Sequence, residues 1–397
     1  MWEQIRSNQI RSTVLVIAMA GLLLLLGYFL GELFLGSPVG GLIVALVIWG
    51  FMTLVAYFQG DSILLAVSGA RRIGPEDHPR LYNVVEEMKI ASGLEYMPAI
   101  YIIDDPALNA FATGRDPKRA SVAITSGLLE KLNRDELQGV IGHEMAHIKN
   151  RDVLLMTMCG VLLGTIVILA YYASRILLFS GAGRRSSGRG GGGALPLIII
   201  ALVLMILAPI AAQLIYYAIS RKREYLADAS SALYTRYPEG LASALEKIGG
   251  STVQLKTANK ALAPMYIANP FRTGARALSE WTSTHPPLAE RIRILRSMGG
   301  ASYADYNAAF ARTHKGGRSV IPASALAGTG AVGLRSPSPE TMGEPSRLER
   351  HREVSDLLWK QSNYRTIECE CGTRLRVPPG IKHSTVRCPH CGRNHSV

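Results

Sequence analysis

Apolar residues in this chain are gathered into long unbroken runs. Four stretches contain no Asp, Glu, Lys or Arg: 12–31, 33–60, 153–174 and 190–220. A helix needs about 20 residues to cross a hydrocarbon core of roughly 30 Å, and each run is long enough. Buried helices of soluble proteins are seldom so uniformly apolar, and no small-residue cleavage site follows the first run. The pattern therefore predicts membrane helices. Residues 1–60 form a hairpin turning near Pro38, Gly40 and Gly41, and 153–220 form a second embedded pair.

Between the runs the periodicity shortens. Ala99–Ile103 and Ser121–Thr125 read as short strands, bounded by the turn-like Asp104-Asp105-Pro106 and Gly114-Arg115-Asp116-Pro117. Asn133-Arg134-Asp135 reads as a helix start, and Leu137, Val140, Ile141 and Met145 fall on one face of that helix. Residues 221–312 read as largely helical. Residues 315–346 are rich in Gly, Ala, Ser and Pro without apolar periodicity. The predicted organisation is a hairpin at 1–60 and a catalytic domain at 61–312, interrupted by the embedded pair at 153–220. A flexible linker at 313–366 and a small domain at 367–397 complete the chain.

Net charge sharpens the topology. The chain carries +13, but its cations flank the apolar runs: Arg6 and Arg11 before the first, Arg71, Arg72, Arg80 and Lys89 after the second. The positive-inside rule then places the N-terminus and residues 61–150 in the cytoplasm, and the lipid bilayer replaces nucleic acid as the expected partner. The connection 174–193 holds Arg175, Arg184, Arg185 and Arg189, which opposes that rule if both flanking runs cross. Length favours crossing; a re-entrant hairpin is the alternative.

The chemistry is concentrated in His143-Glu144-Met145-Ala146-His147. Histidines four apart on a helix project from one face and can hold one zinc ion, while Glu144 can reach a water on that metal without being a ligand. Zinc lowers the pKa of such a water, and the glutamate accepts its proton during attack on a carbonyl. The five positions match by chance in about one chain of this size in a hundred. A third ligand is needed, and Glu224 with Asp228 one turn later fits: a carboxylate for the metal, and a second to fix the tautomer of a ligand histidine.

This combination resembles the HtpX-type membrane zinc metallopeptidases, which are related to the CAAX prenyl proteases. The likeness covers roughly residues 10–300 and includes Leu108-Asn109-Ala110-Phe111-Ala112. It implies an α-helical membrane protein carrying an α+β, zincin-like (gluzincin) domain. It also implies zinc on His143, His147 and Glu224, Glu144 as general base, and a cell (inner) membrane location. Asn109, Ala110, Phe111 and Ala112 resemble an edge strand that pairs with an extended substrate. His285, in Thr284-His285-Pro286-Pro287, resembles a His-Pro element that steadies the oxyanion. The implied substrates are misfolded or misassembled membrane proteins. A CAAX-type trimming enzyme would need about seven spanning helices, against at most four here. The competing reading is a non-enzymatic membrane adaptor with a vestigial peptidase fold, but every ligand and the base are present.

Of five cysteines, four crowd into the last 29 residues as Cys369-x-Cys371 and Cys388-x-x-Cys391. Two tight thiolate pairs in a cytoplasmic segment predict a closed, structural zinc ribbon. Gly372 and Gly392 stand just after the pairs, where the chain must turn back. Basic residues surround the ribbon, but no aromatics interleave with them, so nucleic acid is disfavoured and its partner stays unassigned.

Overall fold

The structure, a computed structural model, describes residues 2–179, 206–207, 210–211, 221–256, 263–270, 285–314, 319–328, 330–338, 344–381 and 385–396. Two antiparallel helices open the chain, α1 (Trp2–Leu35) and α2 (Pro38–Val67). The turn lies at Gly36, whose φ of +63° favours glycine, and at Ser37. The Ser37 hydroxyl accepts the Gly40 N–H at 3.1 Å, and Pro38 takes the first helical position. Gly41 packs backbone against backbone: a Cβ there would stand 2.1 Å from the Gly27 carbonyl oxygen. Small residues at such a crossing are how apolar helices approach closely.

The outer face of α2 carries Val47, Phe51, Leu54 and Phe58, all exposed. Among the described residues, α2 is the one helix long and apolar enough to cross a membrane; α1 contains a shorter apolar stretch, Val16–Glu32. The third run forms α6 (Asp152–Phe179), which packs on α2 and α1. Of the fourth run, 190–220, only four residues are described, so the expected crossing there lies outside the described residues.

Beyond the hairpin lies a four-stranded sheet in the order β1 (Ala70–Ile73), β2 (Ala99–Ile103), β4 (Ala120–Thr125), β3 (Ala110–Gly114). The two strands legible in the pattern, β2 and β4, pair in parallel at its centre. The edge strands pair antiparallel with them. β1 reads Ala-Arg-Arg-Ile, too polar to announce itself. Helices α3 (Pro79–Ser92) and α5 (Arg134–Lys149) share one apolar core with the sheet, through Val84, Val85 and Met88 on one and Val140, Ile141 and Met145 on the other. Short α4 (Ser126–Lys131), α7 over 221–235 and α8 (Pro238–Gly250) complete this layer, α8 against α5. Helices α9 (Leu288–Arg296), α10 (Tyr303–Thr313) and α11 (Ala323–Ala327) close the far side.

Among its described residues, much of the flexible linker expected at 313–366 is ordered instead. Residues 347–361 form α12 (Arg347–Gln361), capped by Ser346 and Glu349, and its Val354 and Leu357 are buried in the main core. Ahead of it, Arg335 donates to Asp135 at 2.7 Å and to the Thr235 carbonyl at 2.9 Å. Ser338 adds two bonds to the same Asp135. The strap at 330–338 is held by polar bonds to other elements, which leave no periodic trace. In α12 two apolar anchors stand among many charges, so the stripe was hidden.

His78 caps α3, its Nδ1 accepting the Leu81 N–H at 3.2 Å, and faces Glu353 of α12. Burial first, and then the Arg80 charge, push its pKa down from 6.5 to about 4. The unfolded chain therefore takes up a proton below pH 6.5 that the folded chain refuses until about pH 4. Stability from this residue is full above pH 6.5 and falls by roughly 3 kcal/mol across that window. His78→Asn keeps a capping acceptor without a titrating ring, so its thermal melts between pH 7.5 and 4.5 should lose that part of the slope. An unchanged slope would refute the assignment.

Candidate active site

Helix α5 is fixed at its start by a capping box. Asn133 Oδ1 accepts the Glu136 N–H, and the Glu136 carboxylate accepts the Asn133 N–H, both at 2.9 Å. Ten residues on, His143 and His147 turn the same way. Their Nε2 atoms lie 3.2 Å apart, and each stands 3.5 Å from a carboxylate oxygen of Glu224 on α7.

The far side of each ring settles its proton. His143 Nδ1 lies 3.0 Å from Asp228 Oδ1, and His147 Nδ1 lies 3.3 Å from Asp152 Oδ2. Each Nδ1 donates to a carboxylate, so both Nε2 lone pairs point inward. Two acceptors and a carboxylate cannot satisfy one another at these distances; a cation can. Metal bonds of about 2.0–2.1 Å in tetrahedral array place ligand atoms about 3.3 Å apart, which this triangle matches. The residues present fit zinc. Burial alone would lower both imidazoles. Asp228 and Glu224 raise His143 instead, and Asp152 and Glu224 raise His147, so without a metal the same carboxylates draw protons onto the rings.

Glu144 is 1% exposed, and neither of its oxygens makes a hydrogen bond among the described residues. Burial pushes its carboxyl up. A free, desolvated carboxylate beside the ligand triangle is equipped to take a proton and return it. His285, just ahead of α9, sets Nδ1 2.9 Å from Glu224 Oε2.

Three contributors were missed in the sequence. Asp152 is the acid that opens the third apolar run, five residues after His147; its position at a helix start was the available signal. Arg223, also buried, lies 3.7 Å from it. Arg291, six residues after His285, is fully buried. It donates to both Asp228 oxygens at 2.8 and 2.6 Å and to the Ile267 carbonyl at 3.0 Å, and lies 3.3 Å from Glu224. One cation thus pairs with Asp228 and also touches Glu224, which an amphipathic pattern cannot foretell.

The segment expected to receive a substrate lies on β3, at the sheet edge, beside α5. Asn109, Ala110, Phe111 and Ala112 are all buried. At Asn109–Phe111 this edge is already engaged by residues 266–268. The Ala110 carbonyl accepts the Ile267 N–H at 2.9 Å, and Phe111 bridges to Tyr266. The Asn109 amide donates to the Ala268 carbonyl at 2.9 Å and accepts the Ala268 N–H at 3.4 Å.

A second donor cluster sits in the ribbon. Cys369 and Cys391 have sulfurs 3.4 Å apart, Cys371 and Cys388 3.7 Å apart, and all four are free thiols. Zinc–sulfur bonds of about 2.3 Å in tetrahedral array give sulfur separations near 3.8 Å. Gly372 and Gly392 take φ of +81° and +75° and return N–H groups to the Cys369 and Cys388 carbonyls.

A sequence model of peptidase family M48 matches residues 75–299, a span that holds the whole donor triangle. A protease HtpX homolog from Dictyoglomus turgidum is 46% identical over 298 residues, covering 75% of this chain and 95% of the relative. Another from Streptococcus gordonii is 39% identical, covering 75% of this chain and all of the relative. The crystal structure of S. mikatae Ste24p is similar at 22% identity and a TM-score of 0.41, covering 74% of this chain and 67% of that one. The family model ends at residue 299, ahead of the strap, α12 and the ribbon. On that agreement of residues, geometry and relatives, the chain belongs to peptidase family M48 and is a membrane zinc metalloprotease.

Proposed function

We propose that the chain is a multi-pass endopeptidase of the cell membrane, facing the cytoplasm, that cleaves misfolded or misassembled membrane proteins. The observation that carries the catalytic part is the donor triangle of His143, His147 and Glu224, held from behind by Asp152 and Asp228. Zinc there supplies a Lewis acid for the attacking water and the scissile carbonyl. Glu144 takes the proton of the attacking water and returns it to the departing amine, a role its free carboxylate suits. His285 donates to the developing oxyanion. Asp228 and Asp152 hold the two imidazoles in the tautomer that leaves Nε2 free. The apolar outer face of α2 and the cations flanking the runs support a membrane seat with the site on the cytoplasmic side.

A second zinc, closed and structural, fits the four ribbon cysteines. Zinc content and hydrolysis of a short peptide, measured on one preparation, test both parts. The full chain should carry two zinc ions, and Cys388→Ser with Cys391→Ser should carry one and keep its peptide hydrolysis. Hydrolysis lost with the ribbon zinc would make the ribbon part of the catalytic unit. A two-zinc protein that cleaves nothing would favour the adaptor reading instead.

A further inference from the structure

We propose that Tyr266–Ala268 is a built-in strand ligand of the catalytic cleft, occupying in the free enzyme the main-chain positions that an extended substrate takes, so that substrate binds by displacing it. This rests on the peptidase reading above. An extended peptide pairs with a sheet edge through main-chain groups of that edge. The edge nearest the donor triangle is β3, and at its start the outward carbonyl and the Asn109 side chain are in use. The Ala110 carbonyl accepts the Ile267 N–H, and the Asn109 amide grips both main-chain groups of Ala268.

The clamp reaches the reacting centre. Arg291 donates through Nη1 to the Ile267 carbonyl at 3.0 Å, and the same nitrogen lies 3.3 Å from the Glu224 carboxylate. Ile267 therefore presents its carbonyl to the cation that touches a metal ligand, the placement a peptide carbonyl near the scissile bond would have. Access agrees with this. His143, Glu144, His147 and Glu224 are each 4% exposed or less. A polypeptide cannot reach them unless something moves. Among the described residues the segment's main-chain ties to the edge are one bridge to Phe111, one bond to Ala110, the two Asn109 bonds and the Arg291 bond, and its Tyr266, Ile267 and Ala268 are buried as well. Each bond contributes on the order of 1 kcal/mol and an incoming strand can replace it in kind, but that strand must also cover the apolar surface that Tyr266 and Ile267 now bury.

The geometry also provides the lock. Because Ile267 N–H bonds the Ala110 carbonyl, Phe111 and Tyr266 face each other as a non-hydrogen-bonded antiparallel pair. Such pairs have Cα atoms about 4.5 Å apart, within disulfide range. The test uses the full chain in detergent, zinc-loaded, with Phe111→Cys and Tyr266→Cys, and a fluorogenic octapeptide. Oxidation should lower the rate at least tenfold and a mild reductant should restore it, while wild type is indifferent to both treatments. A chain shown by intact mass to be cross-linked, yet cleaving at its reduced rate, overturns the proposal.

Absence of cleavage by wild type with zinc would instead count against the peptidase reading. The second measurement needs no turnover. In wild type, the Ile267 and Ala268 amides should be protected from hydrogen exchange and should exchange faster when a peptide hydroxamate is bound. Protection unchanged at saturating hydroxamate makes the segment a fixed wall and overturns the proposal.

Discussion

Glu144→Gln should abolish peptide hydrolysis, by about 10²–10⁴-fold in kcat, and leave zinc content unchanged. The reason lies in how the helix divides its residues. His143 and His147 aim their rings at Glu224, and Glu144, between them in sequence, makes no hydrogen bond among the described residues. Burial pushes its carboxyl up, outweighing the pull of the two histidines and of the Ala112 main chain, so its charge is not a fixed part of the fold. Replacing an oxygen by an amide nitrogen keeps the shape and removes the base. Metal analysis with single-turnover cleavage reads both quantities on one sample. If the zinc is lost with the activity, Glu144 belongs to the ligand set; if neither changes, the proton is handled elsewhere.

Arg291→Met should destabilise the fold by about 3–5 kcal/mol, the usual cost of leaving one buried charge without its partner. Asp228 is itself fully buried and receives two bonds from that guanidinium. Stripped of it, Asp228 is drawn toward its neutral form and holds His143 at Nδ1 less strongly. Zinc affinity should then fall by about 10–100-fold, as it does when a partner behind a ligand histidine is removed. Thermal melts with and without added zinc separate the two effects. Arg291→Met with an unchanged melting temperature would mean that Asp228 is compensated by another cation.

The metal ligands and the Asp228 behind them were legible because their chemistry is written at fixed helical spacings: His147 four positions after His143, and Asp228 four positions after Glu224. The central strands were legible as apolar runs between turns. What escaped notice is whatever depends on distant partners. Arg291 sits on a short helix whose pattern predicts only a buried stripe, and its role comes from meeting Asp228 across the fold. Asp152 reads as the polar lip of a membrane run until the end of α5 brings His147 beside it. The strap at 330–338 is held by side chains that meet main chain elsewhere, and such bonds have no period. Tyr266–Ala268 is the strongest instance. Nothing in three residues says that they lie along β3.

The most direct test of a zinc peptidase is reconstitution. The full chain is stripped of metal by a chelator, then titrated with zinc while cleavage of a peptide is tracked by mass spectrometry. The expected result is no cleavage without metal, recovery that saturates by two equivalents of zinc per chain, and a Glu144→Gln protein that takes up the same zinc and stays silent. Full cleavage by the metal-free chain would contradict the assignment of a zinc peptidase.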